Sequence, residues 1–441
     1  MADHATSADP AVQAQLDRLW ALSPGADVLG LERITRLLAR LGNPERRLPH
    51  VFHVAGTNGK GSTCAFLRAA LEAAGHAVHV YSSPHLVRFN ERIRVAGRLI
   101  DDAALAPLLA EVLDASHGIG ASFFEVTTAA AFLHFARVPA DACVIEVGLG
   151  GRLDATNVIP APAVCGIAAL GIDHQAFLGD TLGQIAAEKA GIAKSGVPLV
   201  TMTYPEEIAA VIADVAARTG APLHTAGRQW RHDVSDGHVR VIDEDGAATL
   251  PAPALAGAHQ AGNLALAAAM LRRQHVLDVP LAAIEAAATA AQWPARLQLL
   301  RPGPLVDRLP PERRRRGVWL DGAHNEQAAA AIADQWTGGA PTALVIGRLA
   351  NKDADAVLRR PTATGGSCDV VTVPVPGPAH PAPADLAAAA LRHGAVAARP
   401  ADTVAAAFNL LANDSRCESV LVAGSLYLAG QVLAANEEAP A

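Results

Sequence analysis

A glycine-rich segment with a central lysine joins two runs of different periodicity near residue 60. The run at residues 50–54 is short and apolar, as a buried strand is, and residues 63–74 have the apolar spacing of a helix. The segment between them reads His53-Val54-Ala55-Gly56-Thr57-Asn58-Gly59-Lys60-Gly61-Ser62-Thr63. Glycines at a strand-to-helix turn let backbone N–H groups converge at the positive end of the helix, where a lysine adds a cation. The sequence therefore predicts a nucleotide-phosphate loop in an α/β domain, in preference to a simple glycine-rich turn.

The loop differs from an ordinary P-loop at the residue after the lysine. That residue is Gly61, so the hydroxyl that usually holds magnesium is missing, and the glycine spacing is also shorter. Other residues must hold the metal that ATP brings. Ser83 and Glu146 are candidates because they follow or end predicted strands, and ligand sites in open α/β sheets lie at the carboxyl ends of strands. A glutamate at the end of a buried strand is costly unless it meets a cation.

Strand-like and helix-like runs alternate through the first half of the chain. Further strands are predicted at residues 77–81, 142–147 and 163–168. Further helices are predicted at residues 127–135 and 182–194. In the second of these helices, Thr181 can act as the N-cap and Gly196 as the end. This order predicts parallel βαβ units in a wound α/β domain.

A second α/β unit is predicted after a segment rich in proline and arginine at residues 293–317. We expect that segment to be a linker or surface loop, and its run from Arg313 to Arg316 to be solvated rather than to grip phosphate. The elements predicted after it are strands at residues 317–320, 342–346 and 419–422 and a helix at 326–335. A chain of 441 residues exceeds the usual size of one hydrophobic core, so two domains are expected.

Composition and charge exclude several classes of function. The net charge is −7 and the Lys and Arg residues are scattered, so nucleic acid is not an expected partner. The first residues lack a signal-peptide pattern, and no uncharged apolar stretch is long enough to span a bilayer, so we expect a cytoplasmic protein without a membrane partner. Five widely spaced cysteines without a CxxC pair predict neither disulfides nor a zinc site.

The motifs of the chain resemble those of the folylpolyglutamate synthase and dihydrofolate synthase family, which is related to the Mur ligases. Besides the loop around Lys60, the resemblance lies in LGLER (29–33), SPHL (83–86), FNERI (89–93), EVGLGGRLDATN (146–157), DH (173–174), EKAG (188–191), HQ (259–260) with Asn263, PAR (294–296) and DGAHN (321–325). The resemblance implies an N-terminal P-loop ATPase domain with a mainly parallel sheet at residues 1–295. It also implies a smaller C-terminal Rossmann-like α/β domain at 296–441.

The resemblance implies a catalytic centre with two magnesium ions on the ATP phosphates. Ser83 and Glu146 would hold one ion, and His174 would bind the second. Lys189 is similar to the lysine that in this family takes up carbon dioxide as a carbamate. An ammonium repels a dication, whereas a carbamate offers it anionic oxygens. Without the resemblance, His174 reads as a structural histidine and Lys189 as a surface residue.

The resemblance also implies which residues contact ATP and take part in catalysis. The nucleotide contacts would be Thr57, Asn58, Gly59, Lys60, Gly61, Ser62, Asn263, Arg296 and Asp321, and the catalytic residues Lys60, Lys189, His174 and His324. Arg296, Asp321 and His324 would reach ATP from the C-terminal domain, which implies domain closure. Two departures from the family pattern are Ala295, where glycine is usual, and Asn351, where aspartate is usual.

Three stretches resemble the family's segments that bind dihydropteroate. They comprise Gly30, Leu31, Glu32, Arg33, Ser122, Phe123, Phe124, Glu125, Leu153, Asp154 and Ala155. A flat pterin needs an apolar platform and polar groups at its edge, which Phe124 and Asp154 could supply, although a phenylalanine is more often a core residue.

The implied activity is ATP-dependent addition of L-glutamate to dihydropteroate and to reduced folates through an acyl phosphate. The alternatives are an enzyme that only extends polyglutamate, a Mur-type amino-acid ligase, and a nucleotide-binding regulator without catalysis. The resemblance implies a monomer. The role of the arginine run stays open.

Overall fold

The structure is a computed structural model, and the residues that it describes are 6–22, 28–335, 343–349, 358, 369–376, 380–413 and 418–440. The chain divides into two compact units. The first comprises Met1–Pro84, Phe89–Ala254 and Gln260–Gln292, and the second His85–Arg88, Leu255–His259 and Trp293–Ala441. The domain boundary predicted between residues 295 and 296 stays a prediction.

The first unit alternates helices and strands as predicted. Its helices are α1 (Pro10–Trp20), α2 (Glu32–Arg40), α3 (Lys60–Ala73), α4 (Asp102–Ala115), α5 (Phe123–Phe135), α6 (Gln175–Leu178), α7 (Leu182–Ala190), α8 (Glu206–Thr219), α9 (His259–Arg273) and α10 (Leu281–Ala290). Its strands are β1 (His50–Ala55), β2 (Val78–Tyr81), β3 (Ile93–Val95), β4 (Arg98–Leu99), β5 (Ala142–Glu146), β6 (Val164–Ile167), β7 (Leu199–Thr201), β8 (Leu223–Thr225), β9 (Trp230–Ser235), β10 (His238–Asp243) and β11 (Gly246–Pro251).

Eight strands of this unit form one sheet in the order β4-β3-β2-β5-β1-β6-β7-β8. In the part of the sheet from β2 to β8, all neighbouring pairs are parallel. At one edge, β3 is antiparallel to β2 and β4 is antiparallel to β3. The prediction of a wound α/β fold with a mainly parallel sheet is confirmed. Apolar side chains cover both faces of the central strands, which is why these strands are nearly continuous apolar runs in the sequence.

The register of the central strands brings several carboxyl ends to one edge of this sheet. Val54 lies opposite Glu146, and Ala55 lies opposite Ile167. Tyr81 lies opposite Ile145 on the other side of β5. The segments that follow β1, β2, β5 and β6 therefore leave the sheet side by side, as residues of an α/β ligand site do.

Apart from the start of α3, two predicted helix boundaries differ from the structure by several residues. Helix α5 begins at Phe123 rather than 127, because the Ser122 side chain accepts from the Glu125 N–H while the Glu125 carboxylate accepts from the Ser122 N–H. Helix α7 ends at Ala190 rather than 194. Gly191 packs so closely that an added Cβ would lie 2.3 Å from the Arg152 Cβ, so the chain turns away there.

A three-stranded antiparallel sheet, absent from the predictions, lies between α8 and α9. Its order is β11-β10-β9, and β9 and β10 pair from end to end in register. Val239, Val241 and Leu250 are buried on one face, and alternate residues of β10 are exposed on the other. This pattern is that of a sheet with one solvated face.

The second unit contains the smaller α/β fold that was predicted. Its helices are α11 (Glu326–Gln335), α12 (Pro383–Arg392), α13 (Val404–Ala412) and α14 (Leu426–Ala435). Its strands are β12 (Gln298–Leu299), β13 (Val318–Leu320), β14 (Ala343–Ile346), β15 (Asp369–Thr372), β16 (Ala397–Pro400) and β17 (Val420–Ala423). They form one sheet in the order β12-β13-β17-β14-β15-β16, in which only β12 is antiparallel to its neighbour.

The proline- and arginine-rich segment at 293–317 is more than the predicted surface loop. It contains β12 and two short 3-10 helices, Val306–Arg308 and Pro311–Arg313. Leu305 and Leu309 on this segment are buried in the core of the second unit. Of the arginine run predicted to be solvated, Arg315 and Arg316 are exposed, whereas Arg313 and Arg314 are partly buried. None of the helices among the described residues combines the length and the apolar character needed to cross a bilayer.

Candidate active site

The loop between β1 and α3 depends on two glycines in unusual conformations. Gly56 has a φ of +150° and Gly59 a φ of +83°. A Cβ at Gly56 would lie 2.9 Å from the Ala168 Cβ, and one at Gly59 would lie 2.4 Å from Asn263 Oδ1. Both the backbone angles and the close contacts therefore require glycine. The loop leads directly into α3, which begins at Lys60 rather than at the predicted residue 63.

Hydrogen bonds tie this loop to the segment that follows β6. The N–H groups of Thr57 and Asn58 donate to the Ala169 carbonyl at 2.8 and 3.1 Å. The Thr57 hydroxyl lies 3.0 Å from the Gly171 carbonyl oxygen, to which it donates. The loop is thus held against the segment that leads to His174. Gly61 and Ser62 are buried in the first turn of α3.

Two lysine side chains meet at one carbonyl of the loop. Lys60 Nζ donates to the Gly56 carbonyl at 3.1 Å, and Lys189 Nζ donates to the same oxygen at 2.9 Å. Lys189 lies on α7 and is 4% exposed. Burial, together with the charge of Lys60, lowers the pKa of Lys189 to about 7, against the smaller opposing effects of Asp173 and Asp154. A substantial fraction of Lys189 is therefore an uncharged amine at neutral pH.

The residues predicted to bind magnesium lie after adjacent strands. Glu146 is the last residue of β5 and is buried, and Ser83 follows β2 by two residues. His174 is the N-cap residue of α6 and has a left-handed φ of +54°, and its Nε2 lies 3.9 Å from Asp173 Oδ2. Within the part of the chain that the structure describes, no three His, Cys, Asp or Glu side chains form a metal-sized group. The predicted set contains only two residues of those types.

Asn263 lies on α9 against the loop, with a neighbour that the sequence analysis did not assign. Its side-chain N–H donates to Gln260 Oε1 at 3.0 Å, which leaves Asn263 Oδ1 facing Gly59. Both side chains are buried. Gln260 thus fixes the orientation of the Asn263 amide. Its position three residues earlier on the same helix is the signal that could have identified it.

A glycine-rich turn after β5 is enclosed by other elements of the first unit. A Cβ at Gly148 would lie 2.3 Å from Phe124 Cζ, and a Cβ at Gly150 would lie 2.8 Å from Leu178 Cδ2. A Cβ at Gly151 would lie 2.7 Å from a carbonyl oxygen of α7. The ring of Phe124 is only partly buried, so it packs on the turn and still presents surface. We call residues 148–151 the glycine turn.

The Asp154 carboxylate closes the glycine turn. Its Oδ2 accepts from the Leu149 N–H at 2.8 Å, and its Oδ1 accepts from the Thr156 N–H at 3.0 Å and hydroxyl at 2.5 Å. The side chain is 2% exposed. Burial raises the pKa of Asp154, while these hydrogen bonds act in the opposite direction. Asp154 therefore orders the glycine turn. Leu153 and Ala155, the other two residues predicted in this stretch, flank Asp154 in the sequence.

The three stretches predicted to bind the acceptor belong to elements that pack together. Helix α2 packs against α5, and both contact the 3-10 helix Ala155–Val158. Arg33 Nε of α2 donates to Glu125 Oε2 of α5 at 3.0 Å, the oxygen that also caps α5. This ion pair links the first two stretches directly.

The remaining acceptor candidates differ in their surroundings. A Cβ added at Gly30 would have no atom within 4 Å, and Leu31 and Glu32 begin α2. Phe123, in contrast, is buried beside Phe89 and Trp20, with ring centroids 6.2 and 5.4 Å away. Phe124 is therefore the ring of this pair that has exposed surface.

The remaining predicted site residues lie in the second unit, near the end of β13. They are Arg296, Asp321 and His324. Asp321 Oδ2 accepts from the Leu297 N–H at 2.8 Å, and Oδ1 accepts from the Ala323 N–H at 2.7 Å. Burial raises the pKa of Asp321, against the charge of Arg296. His324 Nδ1 lies 2.9 Å from the Gly322 carbonyl oxygen.

Ala295, where the family pattern has glycine, adopts a φ of +55°. That left-handed conformation favours glycine and explains the family's choice. The second departure, Asn351, lies outside the described residues.

Several known proteins are similar to the chain in sequence and in structure, although no protein-family model matches it. The dihydrofolate synthase/folylpolyglutamate synthase of Escherichia coli (strain K12) is 36% identical over 410 residues, 92% of this chain and 90% of that protein. The structure of E. coli FolC in complex with DHPP and ADP has a TM-score of 0.85 at 34% identity, over 97% of both chains. A Yersinia pestis bifunctional folylpolyglutamate synthase/dihydrofolate synthase, complexed with AMPPNP and Mn ion, has a TM-score of 0.82 at 32% identity, over 96% of this chain and 97% of that chain. In sequence and in fold, the chain belongs to the dihydrofolate synthase/folylpolyglutamate synthase family.

Proposed function

We propose that the chain is an ATP- and magnesium-dependent ligase that joins L-glutamate to dihydropteroate and to reduced folates. The observation that carries this proposal lies in the loop at residues 56–60, at the carboxyl edge of the large sheet. The side chains of Lys60 and Lys189 both donate to the Gly56 carbonyl of this loop. The E. coli relative bound to DHPP and ADP and the Yersinia relative bound to AMPPNP and Mn support ATP, a divalent metal and a pterin-type acceptor.

The reaction needs activation because a carboxylate is a poor acyl donor. The acceptor carboxylate attacks the γ-phosphorus of ATP, and ADP leaves, which gives an acyl phosphate. The amino group of glutamate then attacks the acyl carbon, and inorganic phosphate leaves with a proton released to solvent. The protein's task is to position the reactants and to offset charge on the transferred phosphoryl group.

Lys60 and the N–H groups of the loop carry the nucleotide in this proposal. Lys60 Nζ lies within hydrogen-bond distance of two loop carbonyls, Gly56 at 3.1 Å and Thr57 at 3.4 Å. That position holds the ammonium against the loop backbone, where we propose that the β- and γ-phosphates bind. Asn263, which contacts Gly59, would bind the same nucleotide.

Ser83, Glu146 and His174 are the side chains that would hold magnesium. Glu146 is buried at the end of β5. It pairs with Val54 on β1, two residues before the loop begins. Hydroxyl and carboxylate oxygens suit magnesium, and the triphosphate supplies further oxygen ligands, so the residues fit a metal that binds mainly through ATP. When bound, the metal neutralises phosphate charge. We propose two ions, with His174 at the second.

We propose that Lys189 works as a carbamate, formed when its uncharged amine adds to carbon dioxide and loses a proton. Carbamate formation requires an uncharged amine, and the pKa of Lys189 is lowered to about 7 by burial and by Lys60. Two cationic side chains on the Gly56 carbonyl repel each other, and conversion of one to an anion removes that repulsion. The anionic oxygens would then join the magnesium ligands.

The acceptor would lie against Phe124 and the glycine turn. Phe124 offers a partly exposed ring on the turn, and Arg33, Glu125 and Ser122 hold the neighbouring helix ends. Gly30, Leu31, Glu32, Leu153, Asp154 and Ala155 complete the proposed acceptor set. We keep Arg296, Asp321 and His324 as nucleotide or catalytic residues of the second unit, and a monomer as the active form.

The decisive experiment supplies ATP and L-glutamate with either dihydropteroate or a reduced folate and identifies the products by mass. Products from both acceptors support the bifunctional activity, whereas product from the folate alone supports the enzyme that only extends polyglutamate. Release of ADP with neither acceptor product would contradict the proposal and would favour a Mur-type ligase or a regulator. Lys60→Ala, Glu146→Ala and His174→Ala should each remove most of the turnover while circular dichroism shows a folded chain.

A further inference from the structure

A buried chain of hydrogen bonds links the nucleotide-bearing strand to the glycine turn. His53 Nε2 on β1 lies 2.9 Å from Thr156 Oγ1, although the two residues are 103 positions apart. The Thr156 hydroxyl has a single proton, which goes to Asp154 Oδ1. Thr156 Oγ1 must therefore accept from His53, so the Nε2 atom of His53 carries a proton. Among the described residues, the buried Nδ1 atom has no acceptor for a second proton, so the ring is neutral. The hydrogen bonds are therefore donated by His53 to Thr156 and by Thr156 to Asp154.

The chain ends on the groups that shape the proposed acceptor surface. Asp154 accepts from the Leu149 N–H, and Leu149 lies between Gly148 and Gly150 of the glycine turn. The Phe124 ring lies on Gly148. A change in the Asp154 carboxylate would therefore move the surface against which Phe124 packs.

His53 and Thr156 cannot touch a substrate themselves. Both side chains are 0% exposed, and His53 lies in the middle of the central strand of the sheet. Burial and the charge of Lys194 lower the pKa of His53 to about 3, which agrees with its neutral form. Any effect on the reaction must pass through Asp154.

We propose that Thr156 and His53 are positioning residues for the acceptor: their hydrogen bonds fix the Asp154 carboxylate and, through it, the glycine turn beside Phe124. This proposal rests on the proposed function, because it assigns the acceptor to that turn. The proposal goes beyond that function because it assigns an effect on acceptor affinity to two residues that lie inside the protein. A purely structural role would instead lower stability and leave the affinities for the two substrates in the same proportion.

The test compares Thr156→Val, which keeps the side-chain shape and removes the hydroxyl, with Thr156→Ser, which keeps the hydroxyl. Thr201→Val is the matched control, because Thr201 is equally buried and bonds through its hydroxyl to Thr225 on another strand, away from the turn. Steady-state kinetics with dihydropteroate and with ATP give the two KM values for each variant. Thermal unfolding gives the stability of each.

We expect Thr156→Val to raise the KM for dihydropteroate roughly 10-fold or more, while the KM for ATP stays within about twofold. Thr156→Ser should be close to wild type, and Thr201→Val should lose stability without a selective change in KM. Equal changes in both KM values, or the same selective change in Thr201→Val, would overturn the proposal. If Thr156→Val does not fold, His53→Phe removes the donor from the other end of the chain and should give the same selective effect.

The wild-type protein separates this inference from the proposed function. A wild type that makes no product with dihydropteroate or folate overturns the function and the inference together. The inference alone is overturned if the wild type makes product and the two KM values of Thr156→Val are unchanged.

Discussion

Gly59 and Gly75 share a backbone conformation but differ in their neighbours. Their φ values are +83° and +90°. An added Cβ at Gly59 would lie 2.4 Å from Asn263 Oδ1, whereas one at Gly75 would have no atom within 4 Å. A comparison of the two positions therefore separates the effect of backbone strain from the effect of the contact with Asn263.

We predict that Gly59→Ala raises the KM for ATP at least roughly 10-fold, because the methyl group displaces Asn263 from the loop. Gly75→Ala carries the same left-handed strain, about 1 kcal/mol, and should leave the KM for ATP unchanged. Nucleotide titrations and thermal unfolding of both variants check this. An ATP affinity in Gly59→Ala equal to that of Gly75→Ala would contradict the contact between Asn263 and the loop as a binding feature.

Lys189 allows a second prediction at this scale. Lys189→Arg keeps a cation and cannot form the carbamate, so we expect turnover to fall roughly 100-fold. Lys194→Arg is the control, because Lys194 lies five residues later and donates to the Asn157 carbonyl rather than to the loop. In buffer freed of carbon dioxide, the wild type should lose turnover and regain it with bicarbonate. Wild-type turnover in Lys189→Arg, or no response to bicarbonate, would count against the carbamate.

Which site residues the sequence could predict depends on how local their interactions are. The loop around Lys60 was predictable because strand, glycines, lysine and helix are contiguous. The role of Gln260 was not predictable from its motif, because its hydrogen bond with Asn263 forms only once the helix is in place. The pairing of His53 with Thr156 depends on the folding of two strands far apart in sequence, and no local pattern encodes it.

At the scale of elements, α9 makes contacts with other elements both near its start and at its end. Near its start, Asn263 contacts the loop at residues 56–60. At its end, Arg272 and Arg273 bind Asp243, the last residue of β10, which has a side chain only 2% exposed. Arg273 also pairs with Glu244 and Asp245 in the turn that follows. The antiparallel sheet therefore anchors the helix that carries Asn263.

We predict that Asp243→Ala lowers the free energy of unfolding by about 3 kcal/mol, because it leaves two largely buried arginines without their main partner. The control is Glu206→Ala, which breaks an ion pair with Arg228 whose side chains are 83% and 55% exposed. That variant should change the free energy by no more than about 0.5 kcal/mol. Chemical denaturation checks both, and a similar small effect at Asp243 would contradict the anchoring role.

The elements that sequence reasoning predicted and those it missed differ in their burial. Central strands such as β1 and β5 are buried on both faces, so they appear as short apolar runs. The start of α5 was missed because its capping box precedes two phenylalanines rather than a helical pattern. The antiparallel sheet was missed because its strands are half exposed, and charged residues interrupt the apolar positions of β9 and β10.

At the scale of the whole molecule, two buried histidines make stability depend on pH. His79 Nδ1 accepts from the Ala96 N–H at 3.0 Å, and its Nε2 donates to the Val138 carbonyl at 3.1 Å. Burial lowers the pKa of His79, because the charged ring loses its hydration. Protonation of Nδ1 would also break the hydrogen bond from the Ala96 N–H. His53 behaves in the same way, with burial and Lys194 lowering its pKa to about 3.

The sign of the effect follows from the two states of His53. Its ring binds a proton near pH 6.5 in the unfolded chain but only near pH 3 in the folded protein. The unfolded state therefore binds more protons between these values, so the stability from the neutral ring is complete above pH 6.5 and is lost as pH falls. Between pH 6.5 and pH 5, His53 alone should cost about 2 kcal/mol. His79 adds to the loss in the same direction.

We predict that His53→Gln is less stable than the wild type at pH 7 but loses less stability between pH 7 and pH 5. Comparing the two proteins cancels the other titrating groups, including Asp154 and Asp321, whose raised pKa values act in the opposite direction. His117→Gln, at an exposed position, is the control and should lose as much stability as the wild type. Denaturant unfolding at several pH values measures the slopes. Equal slopes for His53→Gln and the wild type would mean that His53 is not buried as a neutral ring.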